Sequence, residues 1–180
     1  MSVILNEVLA ANEKYVEEFG NKKDLALPPA RGFAVLTCMD ARLDLFRLLG
    51  LRIGDSHLLR NAGGRATHDA LRSLILSANA LGTREFVVIH HTGCGLHRVT
   101  NEGLADQIEV IAGNRPAIDF NPFDDESASV AADVEIIAQC AYLPVGSVVW
   151  GAVYDVHTGV LTPVGEPQQC RVTPPNPAAP

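Results

Sequence analysis

The feature that most constrains this chain is a pair of short apolar runs, Phe33-Ala34-Val35-Leu36-Thr37-Cys38 and Phe86-Val87-Val88-Ile89-His90-His91, each closing on side chains that bind metals. Continuous apolar runs of this length belong to strands buried on both faces, as in a parallel sheet. Parallel strands need long crossovers, usually helical, so the runs predict helices between them.

The intervening sequence supplies those helices. Residues 67–81 read as one: Thr67 is an N-cap, Asp69 suits the positive end, Leu71, Leu74, Ile75 and Ala78 make an apolar stripe, and Gly82 stops it. Residues 102–112 predict a second helix, and residues 124–141 a longer one with Val130, Val134, Ile137 and Ala141 inward and the acidic Asp124-Asp125-Glu126 run at its start. A short helical turn is expected at 43–49. Further strands are expected at 56–60 and 148–156, with a return strand at 160–164 after the Thr158-Gly159 turn. At the N-terminus, Ile4, Val8, Leu9, Ala11, Tyr15, Val16 and Phe19 recur at three- and four-residue steps and predict an amphipathic helix. The fold class is therefore α/β, a mostly parallel central sheet of about four to five strands flanked by helices. With 180 residues, 47% of them hydrophobic, the chain can bury one substantial core. Residues 1–164 are expected to form a single domain with a helical arm at 2–19, and 165–180 a mobile proline-rich tail.

In open sheets of this kind ligands bind beyond the carboxyl ends of the strands. Cys38, Asn61 and His91 fall at such ends, and Cys94 follows His91 in His91-Thr92-Gly93-Cys94-Gly95. Two thiolates and an imidazole are ligands zinc favours; three protein ligands leave a coordination position open, whereas structural sites usually have four. Taken singly, each residue is an ordinary buried side chain near a strand end. Together, beside Asp40 and Arg42, they read as a site, because a carboxylate and a guanidinium straight after a buried strand need a reason to be there. Cys140 and Cys170 are weaker ligand candidates, one placed in the long helix and the other in the expected tail. The pair Gly63-Gly64 reads equally as a close backbone approach or an ordinary turn. His90 is expected to point away from His91 and to be packed or hydrogen-bonded. His57, His68, His97 and His157 read as solvated surface histidines.

Three segments in this order, Cys38-Met39-Asp40-Ala41-Arg42, Arg60-Asn61-Ala62-Gly63-Gly64 and His91-Thr92-Gly93-Cys94-Gly95, resemble the signatures of the β-carbonic anhydrases. The resemblance runs from Val3 to about Val164. Gly93 and His68 stand where many relatives carry acidic residues, and the short chain is similar to a compact branch that includes carbonyl sulfide and carbon disulfide hydrolases.

The resemblance implies one zinc per chain on Cys38, His91 and Cys94, with Asp40 and Arg42 as a catalytic dyad and Asn61, Ala62, Gly63 and Gly64 at the substrate pocket. Two thiolates offset the zinc charge, so water is acidified less than on three histidines and the nucleophile must be held in place. Asp40 is then expected to accept its hydrogen bond and Arg42 to fix Asp40. The implied reaction is reversible hydration of CO2 to bicarbonate. Carbonyl sulfide or carbon disulfide hydrolysis is the alternative, and a structural zinc domain the non-enzyme one. The resemblance also implies a homodimer or dimer of dimers, with the N-terminal helix lying across its neighbour.

Charge narrows the partners further. A formal net charge of -7 disfavours nucleic acid and anionic membrane surfaces, which require basic patches. No run approaches the eighteen or so apolar residues of a membrane span, and the first residues lack the basic and apolar regions of an export signal, so a cytoplasmic location with reduced cysteines is expected.

Overall fold

A computed structural model describes residues 2–171. The two apolar runs form the middle of the sheet. Strands β1 (Phe33–Cys38), β2 (Ser56–Asn61), β3 (Glu85–His91) and β4 (Val148–Tyr154) lie parallel in the order β2-β1-β3-β4, and β5 (Leu161–Gln169) closes the β4 edge in antiparallel pairing. Five helices accompany them: α1 (Val3–Glu17), α2 (Leu45–Leu48), α3 (His68–Leu81), α4 (Asn101–Ala112) and α5 (Glu126–Ala138).

Alternation along β1 and β3 divides the core. Ala34, Leu36, Phe86 and Val88 face α3 and α5, where they meet Leu74, Ala78, Val130, Val134 and Ile137. Each fully buried side chain of this size contributes about 1.5–3 kcal/mol. Val35, Val87 and Ile89 face the other way, toward Leu49 just after α2 and a rim of half-buried Phe33, Leu58, Trp150 and Tyr154. The sheet is thus covered unevenly, with both long helices on one face. Gly151 makes the α5 packing close: a Cβ there would stand 2.1 Å from Val130 Cγ1.

The capping residues act as their chemistry dictates. Thr67 accepts from Ala70 N–H, Thr100 from Gly103 N–H and Asp125 from Ala128 N–H, each satisfying a free donor in the first turn. Two sequence expectations are corrected. The long helix ends at Ala138, not 141: Gln139 N–H still reaches the Glu135 carbonyl, but Cys140 N–H turns to the Ile137 carbonyl three residues back and the chain leaves the helix to bury Leu143. Cys140 therefore lies beyond the helix. The expected tail is also shorter: β5 continues through Gly165 to Gln169, and Cys170 is buried. Pro163 and Pro167 disguise this strand, but proline is tolerated on an edge strand that lacks a second neighbour. The remaining expected tail, 172–180, lies outside the described residues.

The N-terminal helix forms where its periodicity predicts, with Ser2 as its cap, yet it buries no residue. Among the described residues no helix is long and apolar enough to cross a membrane.

Candidate metal centre

The carboxyl ends of β1 and β3 bring three ligand-type side chains together. The donor atoms of Cys38, His91 and Cys94 all lie within 4.8 Å of one another, and all three residues are buried. The two sulfurs are 3.9 Å apart. Two thiolates bound tetrahedrally to one zinc at about 2.3 Å would stand about 3.8 Å apart, so the pair is already spaced for that ion.

The histidine is prepared in the same way. His91 Nδ1 lies 3.0 Å from the Thr92 carbonyl, an acceptor only, so Nδ1 carries the ring proton. The lone pair is left on Nε2, which is buried and without a hydrogen-bond partner. An orphaned buried acceptor beside two thiols is what a metal ligand looks like before its ion. The thiols are primed as well. The neighbouring Cys94 thiol, against burial, pulls Cys38 down to about 4. The same contact, together with burial, pushes Cys94 up. Cys140 and Cys170 pack with the core around α5, away from this group, and supply no fourth ligand.

Asp40 and Arg42 sit at the rim. Arg42 donates from Nε to Asp40 Oδ1 at 2.9 Å and from Nη2 to Oδ2 at 2.7 Å, and its backbone N–H also reaches Oδ1. These donors hold the carboxyl well below its usual range, the Arg42 side chain most strongly. Arg42 Nη2 also donates to the Gly93 carbonyl at 3.0 Å, tying the rim to the second ligand loop through main chain alone. Asp40 Oδ2 stands 3.7 Å from the free His91 Nε2, at the edge of the ligand group.

A cleft of about 470 Å³ opens onto this point, walled by Met39, Ala41, Ala62, Gly63, Gly95 and Leu96, with Cys38, Cys94 and Asp40 as its polar groups. Of the four residues expected at the pocket, Ala62 and Gly63 line it. Asn61 instead directs both polar atoms of its side chain to the Arg65 backbone. Gly64 is a close backbone approach, since a Cβ on it would stand 2.9 Å from Cys38 N, and its φ of 71° is left-handed.

One arrangement escaped the sequence reading. Behind the ligands, Arg65 donates from Nε to Asp133 Oδ2 at 2.8 Å, and His90 Nε2 lies 3.1 Å from the same oxygen. Phe123 stacks on His90 and on His97. His97 is not simply solvated: Glu126 and the Asp124 carbonyl lie 3.2 and 3.0 Å from its two ring nitrogens. His57 likewise bonds Ser77, while His68 and His157 are exposed.

The sequence profile of the family described as carbonic anhydrase matches residues 33–118. Beta-carbonic anhydrase 1 of Mycobacterium tuberculosis is 36% identical over 161 residues, spanning 89% of this chain and 98% of that one. The chain belongs to the β-carbonic anhydrase family. Among solved members, the carbonic anhydrase of Streptococcus mutans superposes with a TM-score of 0.85 at 39% identity, covering 92% of this chain and 99% of the other. The carbon disulfide hydrolase of an Acidianus strain is also similar, 39% identical over 102 residues, which is 57% of this chain and 50% of its own. Cys38 meets His91 and Cys94, 53 and 56 residues later, because β1 and β3 are adjacent and parallel and both end on the same side of the sheet.

Proposed function

We propose that this chain is a zinc enzyme that reversibly hydrates CO2 to bicarbonate and a proton, with the metal held by Cys38, His91 and Cys94. The observation that carries the reading is the Asp40 carboxylate, fixed by Arg42, standing 3.7 Å from the unpartnered His91 Nε2 at the mouth of an apolar cleft. A zinc ion in that site supplies the Lewis acidity that turns water into a nucleophile near neutral pH.

The chain's own residues do the rest. Asp40, ionised and therefore acceptor-only, takes the nucleophile's hydrogen bond on Oδ2 and aims its lone pair at the substrate carbon. Arg42 grips both carboxylate oxygens, so Asp40 stays ionised and in place. Ala62, Gly63 and Leu96 offer a small apolar surface that suits an uncharged linear molecule and keeps bulk water from competing with it.

A second reading, hydrolysis of carbonyl sulfide or carbon disulfide to hydrogen sulfide and CO2, uses the same residues and is favoured by the carbon disulfide hydrolases among the relatives. A second copy of the chain is the proposed partner, since α1 presents Val3, Ile4, Val8, Leu9 and Val16 to solvent and, among the described residues, nothing of its own chain covers them.

Stopped-flow CO2 hydration and hydrogen sulfide release from carbonyl sulfide, run side by side on zinc-loaded protein, test the proposal. CO2 turnover should dominate, and Asp40→Asn should retain zinc while losing about 100-fold in kcat. Dominant sulfide release would favour the second reading. Full activity of Asp40→Asn on both substrates would sink the mechanism.

A further inference from the structure

Arg60 is the penultimate residue of β2, directly before Asn61, and its guanidinium serves a single loop. Nε donates to the Cys38 carbonyl at 3.0 Å, Nη2 to the Asp40 carbonyl at 2.5 Å and Nη1 to the Leu43 carbonyl at 3.4 Å. Among the described residues no carboxylate lies within ion-pair distance of it, although Asp40 and Arg42, Asp44 and Arg47, and Asp69 and Arg72 all pair nearby. Its charge is directed wholly at main-chain carbonyls.

Those carbonyls belong to residues 38–43, which carry one ligand thiol and both members of the rim dyad. Apart from Arg60 the loop has few anchors: Met39 N–H to the Asn61 carbonyl, Leu43 N–H to the Asp40 carbonyl, Arg42's contacts with Asp40 itself, and Arg42 Nη2 to the Gly93 carbonyl. Arg42 fixes the carboxylate relative to the loop. The one bond by which that pair leaves its own loop, Arg42 Nη2 to the Gly93 carbonyl, reaches the other ligand loop and not β2. A planar fork of rigidly spaced donors can hold several carbonyls at once, whereas a lysine ammonium is a single point with no such spread.

We propose that Arg60 is a positioning residue, a clamp from β2 that sets the main chain of Asp40 and so keeps its carboxylate facing His91 Nε2. The kinetic part rests on the CO2 reading above; the structural part does not. Arg60 does not itself line the cleft and reaches no donor atom of the ligand group; it holds only the main chain of Cys38, Asp40 and Leu43, so its effect on turnover passes through that segment and its Asp40.

The test uses full-length zinc-loaded protein with Arg60→Gln and the milder Arg60→Lys. Amide hydrogen exchange in the 38–43 segment should quicken by on the order of 10-fold while β3 stays protected, and zinc should remain at about one per chain. CO2 hydration should lose about 10–100-fold in kcat with KM unchanged. Arg60→Gln added to Asp40→Asn should cost nothing further, because the two act as one unit. Unchanged exchange in both variants overturns the clamp. Losses that multiply with those of Asp40→Asn, or zinc lost in step with activity, overturn its action through Asp40. Failure of the parent enzyme to hydrate CO2 would remove the CO2 reading alone, and the exchange result would still decide the clamp.

Discussion

Consecutive histidines on β3 face two carboxylate–guanidinium pairs of opposite character. His91 looks toward Asp40–Arg42 at the cleft mouth, where the side chains are 18% and 50% exposed. His90 looks toward Asp133–Arg65 in the interior, where they are 2% and 14% exposed. The tautomers are opposite as well. His91 places its proton on Nδ1, toward the Thr92 carbonyl, and frees Nε2. His90 faces the Asp133 carboxylate and the Gly64 carbonyl with Nε2, so its proton sits there and Nδ1 is the unpartnered atom. The same residue types thus line a solvent-accessible cleft on one face, where the proposed chemistry would take place, and are sealed in the interior on the other. A solvated pair gains little stability and stays available to a substrate. A buried pair holds the fold because neither partner can be left alone.

Removing Asp133 should have the largest effect on stability. Asp133→Ala leaves Arg65 buried without its partner and should lower unfolding free energy by about 3–5 kcal/mol in urea titrations. Turnover per folded, zinc-loaded molecule should change by no more than a few-fold. Asp40→Asn should do the reverse, leaving the unfolding midpoint nearly where it is. If Asp133→Ala cost turnover as heavily as Asp40→Asn, the division between the pairs would be wrong.

A smaller effect separates them by pH. Burial alone would raise the Asp133 pKa, but His90 and Arg65 outweigh it and hold the carboxyl below its ordinary value. A group depressed in the folded state stabilises fully above its unfolded pKa, about 3.9, and loses that contribution as pH falls below it. The stability gap between the parent and Asp133→Asn should therefore be constant above about pH 4 and shrink below it. A gap that instead widened on acidification would reverse the assigned shift. Asp40 is shifted in the same direction, but solvent screens its pair, so its share of the acid loss should be the lesser one.

Much of the cleft side was legible in the sequence and little of the interior side. Cys38 and His91 end apolar runs too short for helices, so their convergence at one sheet edge follows from strand polarity alone. Asp133 carried a signal that the helical stripe obscured: it falls among Val130, Val134 and Ile137, and a carboxylate on a buried face demands a partner. Its partner is 68 residues earlier in the chain, and no local pattern links them. The Arg60 clamp left no trace because its acceptors are backbone carbonyls, which every residue possesses. β5 was cut short because prolines that argue against a central strand say nothing against an edge one. For Asn61 the position was right, at the end of β2, but the side chain turns to the Arg65 backbone, a choice fixed by local turn geometry.

The central claim is the metal, and elemental analysis of the purified chain tests it most directly. About one zinc per chain should be found in the parent, in Cys140→Ser and in Cys170→Ser, and essentially none in Cys38→Ser or Cys94→Ser. Metal-free protein that still hydrates CO2, or zinc retained in full after loss of Cys38 or Cys94, would contradict the account.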